Sequence, residues 1–342
     1  NMSLKNLSVQ NKTHKFLLSK LKNKRIAQIY NKFERFLSID NDFIVAVSGG
    51  PDSLALSFLA KIYSIKKKLN VKYYIVDHNL RNNSTEEAKN VKNQLKNFSI
   101  NLGILSWHGI KPKKNIQSIA RNNRYKLLIN NAKKLNINNI LLGHHLDDLL
   151  ENFFIRILRG SGLKGLVSLD QKTQFKKINL IRPLLNFNKK DLIYVSKHIF
   201  GSFVNDPSND DEKFKRVKIR NLLKQLELEG LDKNKFILTI KNLKVANENI
   251  KFYTERNLEF NTYFSKKKDS VILKKNFFNN SEEVVFRSLT EIIKIIGKKY
   301  YPVRGKKIDR IIQSISNKSF LKLTLGGCLI KKVNQTVIVT KE

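Results

Sequence analysis

Short apolar runs alternate with longer periodic stretches along the first 160 residues. Phe43–Val47 is a continuous apolar run rich in β-branched residues, and an apolar helical pattern follows over Leu54–Ile65. The run predicts a buried strand and the longer stretch predicts a helix. The same pair recurs three times, as Tyr73–Val76 and Ser84–Phe98, Leu102–Trp107 and Ile116–Leu135, and Asn139–Leu142 and Leu146–Leu158.

Repeated strand–helix units of this kind predict an α/β fold, a Rossmann-like parallel sheet with helices on both faces. The alternation stops after Gly160–Gly165, and residues 222–258 show near-helical apolar spacing. From Ser270 onward, short strands at 271–273, 321–324 and 337–340 mix with helices at 282–296 and 306–316. We therefore predict an α/β N-terminal domain over 1–221, a helical connector over 222–262 and a small α+β C-terminal domain over 263–342.

The charge of the chain indicates a polyanionic partner. Among 342 residues, 66 Lys and Arg face 28 Asp and Glu, a formal net charge of +38. Such a surface attracts nucleic acid. A general abundance of Lys, Asn and Ile is the alternative explanation for part of this charge. The N-terminal stretch has no acidic residue before Glu34 and contains the apolar positions Phe16, Leu17 and Leu21, which favours a basic helix over a transit peptide.

Two absences in the sequence exclude whole classes of protein. No apolar run approaches the roughly 18 residues of a membrane span, so we expect no membrane partner. Cys328 is the single cysteine, which excludes a disulfide framework, a Cys-rich zinc site and a cluster held by several thiolates. A reducing compartment is expected, the cytoplasm or the interior of an organelle.

Three polar segments follow predicted strands, namely Ser48–Ser53, Asp77–Arg81 and Gly143–Glu151. The carboxyl ends of parallel strands meet at one edge of a sheet, so these segments are expected to converge on one crevice. Asp77 and His78 are then placed to meet a nucleoside, although a plain polar strand-end loop is the alternative. Of the neighbours His144 and His145, one is expected to meet nucleotide and the other to pack.

The segment Ser48-Gly-Gly-Pro-Asp-Ser53 predicts a pyrophosphate site. Gly49 and Gly50 let backbone N–H groups turn toward an anion, and Ser48 and Ser53 add hydroxyl donors. The following helix presents its positive end to the same point. The segment lacks the lysine of a Walker A loop, so it is a different phosphate-binding device.

Charged side chains near this loop suggest its other ligands. Asp148 and Glu151 share a helical face and require a cation, whereas Asp147 is as readily a helix cap. Asp52 is a third carboxylate, within the loop itself, and magnesium is a second candidate cation there because carboxylates bind it. Arg121 and Arg124 share a helical face, with Tyr125 beside them. The arginines could bind phosphate and the tyrosine could stack on a base, and the alternative is a solvated basic face of the helix. Arg216 and Arg220 are interpreted as contacts to a nucleic-acid backbone.

The loop resembles the pyrophosphate-binding loop of the N-type ATP pyrophosphatases, the PP-loop superfamily. The ordered set of motifs over about residues 43–221 resembles the tRNA(Ile)-lysidine synthetase family within it, and the tail is similar to the C-terminal domain of that family. Asn152 departs from the Thr that the family often carries. The motifs are Ser48–Ser53, Val76–Arg81, Ala120–Tyr125, Gly143–Glu151, Arg159–Leu166, Arg182–Leu185, Asp206–Asn209 with Arg216 and Arg220, and in the tail Pro302–Gly305 and Thr324–Cys328.

The resemblance implies a PP-loop ATPase-type fold and an ATP-dependent ligation. The implied cofactors are ATP and Mg²⁺, with Asp52 as a candidate Mg²⁺ ligand. The implied partners are free L-lysine and tRNA(Ile) with the anticodon CAU, whose wobble cytidine is adenylated and then joined to lysine. A homodimer is an assembly that the sequence allows.

The resemblance also implies roles for individual residues. Those for ATP are Ser48, Gly49, Gly50, Pro51, Asp52, Ser53, Asp77, His78, Gly143 and His144. Those for lysine are Asp52, Asp148 and Glu151, and the same three with Arg121 and Arg124 are the implied catalytic residues. Those for tRNA are Arg121, Arg124, Tyr125, Arg159, Arg216 and Arg220.

Two other functions fit parts of the sequence. Thiolation of a tRNA base would use a similar loop, but enzymes of that type generally need cysteine pairs or a cluster. A basic RNA-binding module without activity would predict tRNA binding that is indifferent to ATP. An amidotransferase would need a glutaminase segment, which the sequence does not contain.

Overall fold

The computed structural model describes residues 4–80, 83–109, 116–204, 215–298, 303–317 and 322–342, with the side chains of 4–11, 117, 118 and 316 left aside. The chain divides into two compact units, Asn1–Leu231 and Asp232–Glu342. The boundaries that the sequence suggests, at residues 221 and 262, stay predictions.

The first unit is built on one sheet with helices on both faces. Its strands are β1 (Phe43–Val47), β2 (Val71–Asp77), β3 (Leu102–Ser106), β4 (Asn139–Leu141), β5 (Lys172–Phe175) and β6 (Ile178–Ile181). Its helices are α1 (Leu4–Ser19), α2 (Lys24–Phe36), α3 (Pro51–Lys67), α4 (Ser84–Lys96), α5 (Ile116–Lys134), α6 (Leu146–Ile157), α7 (Leu163–Leu166), α8 (Lys189–Phe200) and α9 (Lys215–Leu228).

The strands of this sheet lie in the order β3-β2-β1-β4-β6-β5. All neighbouring pairs are parallel except β5, which runs antiparallel to β6 at the edge. The predicted α/β fold with a mostly parallel sheet is confirmed. The β5–β6 hairpin and helix α8 lie where the sequence pattern predicts no regular element.

The central strand β1 separates two hydrophobic cores. Phe43, Val45 and Val47 point into a core formed with α2, α3, α4 and α8. Ile44 lies in a second core, with Ile140 and residues of α5. Because successive side chains of a strand point to opposite faces, a continuous apolar run is what a strand covered on both faces requires.

Chain reversal beside β1 creates the crevice of the fold. The chain passes from β1 through α3 to β2 on one side, and β4 returns to pair with β1 on the other. Ligands of open α/β sheets bind outside the carboxyl ends of strands at such a switch point. The segments Ser48–Ser53 and Gly143–His145 leave β1 and β4 at this point, so the topology brings two predicted site segments together.

The second unit packs helices against an antiparallel sheet in the order β7-β8-β11-β10-β9. Cys328 is fully buried in its core, where its Sγ lies 3.5 Å from the carbonyl oxygen of Ile293. The elements are α10 (Lys233–Asn261), β7 (Thr262–Phe264), β8 (Ser270–Leu273), α11 (Glu282–Ile296), α12 (Gly305–Ser316), β9 (Lys322–Leu325), β10 (Cys328–Val333) and β11 (Thr336–Lys341). Within the described ranges, no helix is long and apolar enough to cross a membrane.

Candidate active site

The Ser48–Ser53 loop is held closed by one hydroxyl group. The Ser53 Oγ accepts a hydrogen bond from the Ser48 backbone N–H at 3.0 Å and donates to the Gly50 carbonyl at 3.0 Å. The Ser48 hydroxyl lies 3.2 Å from the same oxygen. Gly50 is the N-cap of α3, with Pro51 and Asp52 in the first turn. The positive end of a 17-residue helix therefore points into the loop.

The two glycines of this loop are required for different reasons. Gly49 has a φ of +83°, and a Cβ there would lie 2.7 Å from Cγ2 of Val91. Only glycine adopts that conformation without strain. At Gly50 a Cβ would meet no atom nearer than the Ser48 Oγ at 3.9 Å, so the protein itself leaves that space open.

Gly143 fixes the distance between the two segments of the crevice. A Cβ at this position would lie 3.3 Å from Cα and 3.4 Å from N of Ser53. That spacing is tighter than ordinary van der Waals contact. A glycine therefore allows the end of β4 to approach the start of α3 closely.

His145 links two of the predicted acidic residues. Its Nε2 lies 3.5 Å from Oδ2 of Asp52 and 3.6 Å from Oδ2 of Asp148. It also caps α6, because its Nδ1 accepts the Asp147 N–H while its own N–H donates to Asp148 at 3.0 Å. Burial alone would lower the pKa of His145, but the hydrogen bond with Asp52 and the charge of Asp148 raise it. The sequence analysis treats His145 only as one of two neighbouring histidines that could meet nucleotide. Its position directly before a helix-starting Asp pair is the signal that could have linked it to the acids.

The carboxylate of Asp148 stays ionised in this setting. Burial opposes the charge, but His145, His144 and the His145 N–H hold the pKa of Asp148 below its ordinary value. The structure therefore brings Asp52, His145 and Asp148 together as a cluster of one imidazole between two carboxyl side chains.

Glu151 has a cationic partner within the chain. Arg220 on α9 donates its Nε to Oε1 at 2.5 Å and lies 3.5 Å from Oε2 through Nη2. The Glu151 side chain is 3% exposed and that of Arg220 is 30% exposed. Burial raises the pKa of the Glu151 carboxyl in spite of Arg220. Sequence analysis assigns these two residues to different ligands, whereas the fold joins them as an ion pair.

Arginines supply positive charge around His144. The pKa of His144 is lowered to about 3, first by burial and then by Arg121, Arg182 and Arg124, while Asp148 acts against this shift. The Arg121 guanidinium stacks over the Tyr125 ring at 5.3 Å, and Tyr125 hydrogen-bonds the buried Arg182. Arg182, which the sequence analysis gives no role, also donates to the Asp170 carbonyl at 2.7 Å. Such a cluster suits a polyanionic ligand.

Asp77 is occupied by its own loop. Its Oδ1 accepts from the Asn79 N–H at 2.9 Å and the Ser84 hydroxyl at 2.8 Å, and its Oδ2 accepts from the Thr85 hydroxyl at 2.6 Å. The neighbouring His78 has a buried Nδ1 without a hydrogen-bond partner among described groups, as does His144. Burial, with Arg124, lowers the pKa of His78 to about 4. His78 and His144 are therefore neutral and present unpaired ring nitrogens.

Some predicted positions are not brought to this cluster. Arg159 lies past the end of α6 and is exposed. At a helical rise of 1.5 Å per residue, it lies about 16 Å farther along the axis of α6 than Asp148. Arg216 is exposed on α9, within electrostatic reach of Asp148. Arg81, Pro302 and the motif Asp206–Asn209 lie outside the described residues.

Asp52 is the side chain that fits a hard cation. Its Oδ1 is buried and has no hydrogen-bond partner within the described part of the chain. Carboxylate oxygen is the preferred ligand of Mg²⁺. Over the same residues, no group of three or more His, Cys, Asp or Glu is arranged to hold a metal ion.

Comparison with known proteins identifies the family. The PP-loop domain model matches residues 18–227, more than half of the chain. The tRNA(Ile)-lysidine synthase of Wolbachia pipientis wMel is 35% identical over 311 residues, which cover 89% of this chain and 71% of the relative. The chain belongs to the tRNA(Ile)-lysidine synthase family.

A second relative agrees with this membership, and a solved structure agrees with the fold. The lysidine synthase of Rhodopseudomonas palustris is 30% identical over 309 residues, covering 86% of this chain and 89% of the relative. A solved U34-tRNA thiolase of Methanococcus maripaludis, with its 4Fe-4S cluster, is similar in fold, with a TM-score of 0.57 and 16% identity over 66% of this chain and 79% of that one. The resemblance to the lysidine synthetase family and its PP-loop fold is confirmed.

We expect this lysidine synthase family member to lose stability in acid through His78 and His144. Their folded pKa values of about 4 and 3 lie below the unfolded value of 6.5. Below pH 6.5 these two histidines bind protons in the unfolded chain but not in the native state. The unfolding free energy therefore decreases as the pH is lowered, until the pH reaches the folded pKa of each histidine. The slope is at most about 1.4 kcal/mol per pH unit for each histidine.

Urea unfolding between pH 7 and 4 measures this slope. His78→Asn and His144→Asn should each flatten it, whereas replacement of the exposed His108 is the control. An unchanged slope in both variants would contradict the assignment of two neutral buried histidines.

Arg220→Ala should lower the unfolding free energy of this family member by about 2 kcal/mol at pH 7, because it leaves the buried Glu151 carboxylate without its partner. Arg220→Ala/Glu151→Gln should recover most of that loss, since the second change removes the unpaired charge. Urea titrations of the four proteins in the cycle provide the test. A double variant no more stable than Arg220→Ala would mean that the loss does not come from an unpaired charge on Glu151.

Proposed function

We propose that this protein joins L-lysine to C2 of the wobble cytidine of tRNA(Ile) with the anticodon CAU, consuming ATP and giving lysidine, AMP and pyrophosphate. The product tRNA then decodes AUA. The observation that carries this proposal is one crevice in which the pyrophosphate-type loop Ser48–Ser53 and the Asp52, His145 and Asp148 cluster lie side by side. One half of the site fits a polyphosphate and the other fits a cationic amino acid.

The reaction requires two displacements that balance. The C2 oxygen of cytidine first attacks the α-phosphorus of ATP, and the bond to pyrophosphate breaks. An amine of lysine in its neutral form then attacks C2, the C2–O bond breaks, the oxygen leaves with AMP, and the nitrogen releases a proton. A carbonyl oxygen is a poor leaving group until it carries the adenylate, so both ligands must be held in one site.

The loop and the helix that follows it are assigned to the nucleotide. Ser48, Gly49, Gly50 and Ser53 offer backbone and hydroxyl donors at the start of α3. Pro51 sets the first turn of that helix, and Gly143 keeps β4 close to it. His78 and His144 offer unpaired ring nitrogens to the nucleoside, and Asp77 supports the loop that carries His78.

The acidic residues are assigned to lysine. Asp148 is ionised and partly exposed, so its carboxylate is available to a substrate ammonium. Asp52 faces the same histidine and also has a free Oδ1, which fits Mg²⁺. Bound Mg²⁺ would supply charge neutralisation to the departing pyrophosphate. Glu151 reaches the substrate only if Arg220 shares or leaves it.

The arginines are assigned to the tRNA and to the adenylate. Arg121 and Arg124 lie on α5 beside His144, where developing negative charge needs a cation. Tyr125 offers a ring to a base, and Arg216, Arg220 and Arg159 extend positive charge along α9 and past α6. A homodimer and a cytoplasmic or organellar location stay predictions.

The thiolation alternative has less support. The fold neighbour is a thiolase with an iron–sulfur cluster, but its 16% identity carries the fold alone. The single Cys328 of this chain is buried in the second unit. The first unit, which carries the crevice, contains no cysteine for sulfur transfer of that kind.

Incorporation of labelled lysine into unmodified CAU-anticodon tRNA(Ile), with AMP and pyrophosphate measured in the same tube, tests the proposal. ATP-dependent labelling at the wobble cytidine is expected. Release of AMP without labelling would move the nucleophile to another compound, and tRNA binding with neither product would favour a non-catalytic RNA-binding module.

A further inference from the structure

A basic groove lies between α2 and α8, and none of its lining residues belongs to the loop or to the acids of the candidate active site. It is an open depression of about 480 Å³, whose lining includes Lys24, Arg25, Gln28 and Lys32 of α2 with Phe187 and Asp191 of the α8 side. The four residues from α2 are exposed, and Asp191 of α8 is the acidic residue in the lining. The groove is therefore a positively charged surface with an apolar floor.

The cations of the groove are held in place before any ligand binds. Arg25 pairs with Asp191 at 2.8 Å and lies over the Tyr194 ring at 4.2 Å. Lys32 donates to the Asn186 carbonyl at 2.7 Å and lies over the Phe187 ring at 4.6 Å. Burial lowers the pKa of the Lys32 ammonium, and Asp191 opposes this shift. Arg25 has an acidic partner, whereas the acceptor for Lys32 is a neutral carbonyl. Both side chains are already positioned, so less side-chain entropy is lost when an anion binds.

One short segment connects this groove to the candidate active site. The Asn186 carbonyl accepts from Lys32, and the next carbonyl, that of Phe187, accepts from the N–H of Leu146 at 3.1 Å. Leu146 is the first residue of α6 and directly follows His145. The segment that carries Asn186 and Phe187 is therefore shared between the groove and the crevice.

The charge around the groove identifies a polyanion as its occupant. The segment 12–36 carries eight Lys and Arg residues and the single acid Glu34, and Lys189 and Lys190 begin α8. A second copy of the chain would place like charges against one another. A phosphodiester backbone presents one negative charge per nucleotide and matches a row of fixed cations.

We propose that the α2–α8 groove binds the phosphate backbone of the substrate RNA, as a docking surface separate from the catalytic crevice. Naming tRNA as that RNA rests on the proposed function. The groove contributes register and affinity, since phosphate contacts position an RNA without reading its bases.

The test compares two pairs of lysines with the same change in charge. Lys24→Ala/Lys32→Ala removes two groove cations. Lys67→Ala/Lys72→Ala removes two exposed lysines at the end of α3 and the start of β2, neither of which lines the groove. Dissociation constants for CAU-anticodon tRNA(Ile) are measured for the full chain at several salt concentrations, with thermal unfolding as a folding check.

We expect the groove variant to bind tRNA about tenfold more weakly, with a salt slope reduced by about 1.5 units, and the control variant to bind as the parent does. Lys24→Arg/Lys32→Arg should restore both values. Equal loss in the groove and control variants would mean diffuse attraction and would overturn the proposal, as would no loss in either or no tRNA binding by the parent. Groove-dependent binding by a parent that incorporates no lysine would instead overturn the proposed function alone.

Discussion

Asp148→Asn is expected to reduce lysine incorporation by on the order of a thousandfold while tRNA binding is retained. The amide can still accept the His145 N–H that the carboxylate accepts at 3.0 Å, so the start of α6 keeps its cap. The negative charge that would hold a substrate ammonium is lost, and losses of this size follow from removing one charged group that stabilises a reacting centre. Labelled-lysine incorporation and tRNA affinity are measured on the same preparation.

Glu282→Gln is the matched control for Asp148→Asn. Glu282 is an exposed acid in the first turn of α11 in the second unit, so the change removes the same charge from the same kind of position. It should leave incorporation within about twofold of the parent. Near-parental activity in Asp148→Asn would exclude a role in binding lysine, and a parallel loss of tRNA affinity would indicate misfolding.

Gly50→Val is expected to abolish ATP turnover with little change in stability. The protein leaves space around Gly50, whose φ of −74° any residue adopts, so we expect a cost of about 1 kcal/mol or less for the poorer cap. The new side chain would stand where the backbone must approach the phosphates. ATP-dependent pyrophosphate release should fall by about a hundredfold or more, with Gly50→Ala intermediate.

Gly49→Ala separates folding from nucleotide binding in the same loop. The φ of +83° and the 2.7 Å approach to Val91 predict a loss of stability there, because the strain lies within the protein. Thermal unfolding should therefore show that Gly49→Ala is less stable than Gly50→Val, although the larger side chain is the one at residue 50. Full ATP turnover in Gly50→Val would refute the assignment of the loop to pyrophosphate.

The part of the fold that local pattern determines was accessible from the sequence. Phe43–Val47 is covered on both faces, so every position is apolar and the strand is visible without its neighbours. Strand β5 is an exposed edge strand of Lys, Thr, Gln and Phe, in which alternation carries no signal. Tertiary pairing, and not local preference, makes β5 a strand. Strand β10 follows the two-residue turn Gly326–Gly327, whose positive φ values are typical of a hairpin, and this signal was accessible from the sequence but not used.

Local sequence pattern likewise predicts one part of the candidate site and misses another. Helical spacing correctly places Asp148 and Glu151 on one helix, but no spacing rule joins Glu151 to Arg220, which is 69 positions away. The same limit explains why His145 is missed as a bridge between Asp52 and Asp148, since those acids come from two different strand ends. Motif order predicts which segments converge, and side-chain packing decides which charges neutralise one another inside the crevice.

The buried position of Cys328 makes this chain convenient for site-directed labelling. Burial, with the nearby Glu342, raises the pKa of its thiol to about 11, and the side chain has no exposed surface. Thiol reagents react with the thiolate, so the native cysteine is protected at neutral pH. A single cysteine introduced at an exposed position of α2 or α9 could then carry a fluorophore or spin label in an otherwise unaltered protein, and distances between the protein and a labelled RNA could be measured directly.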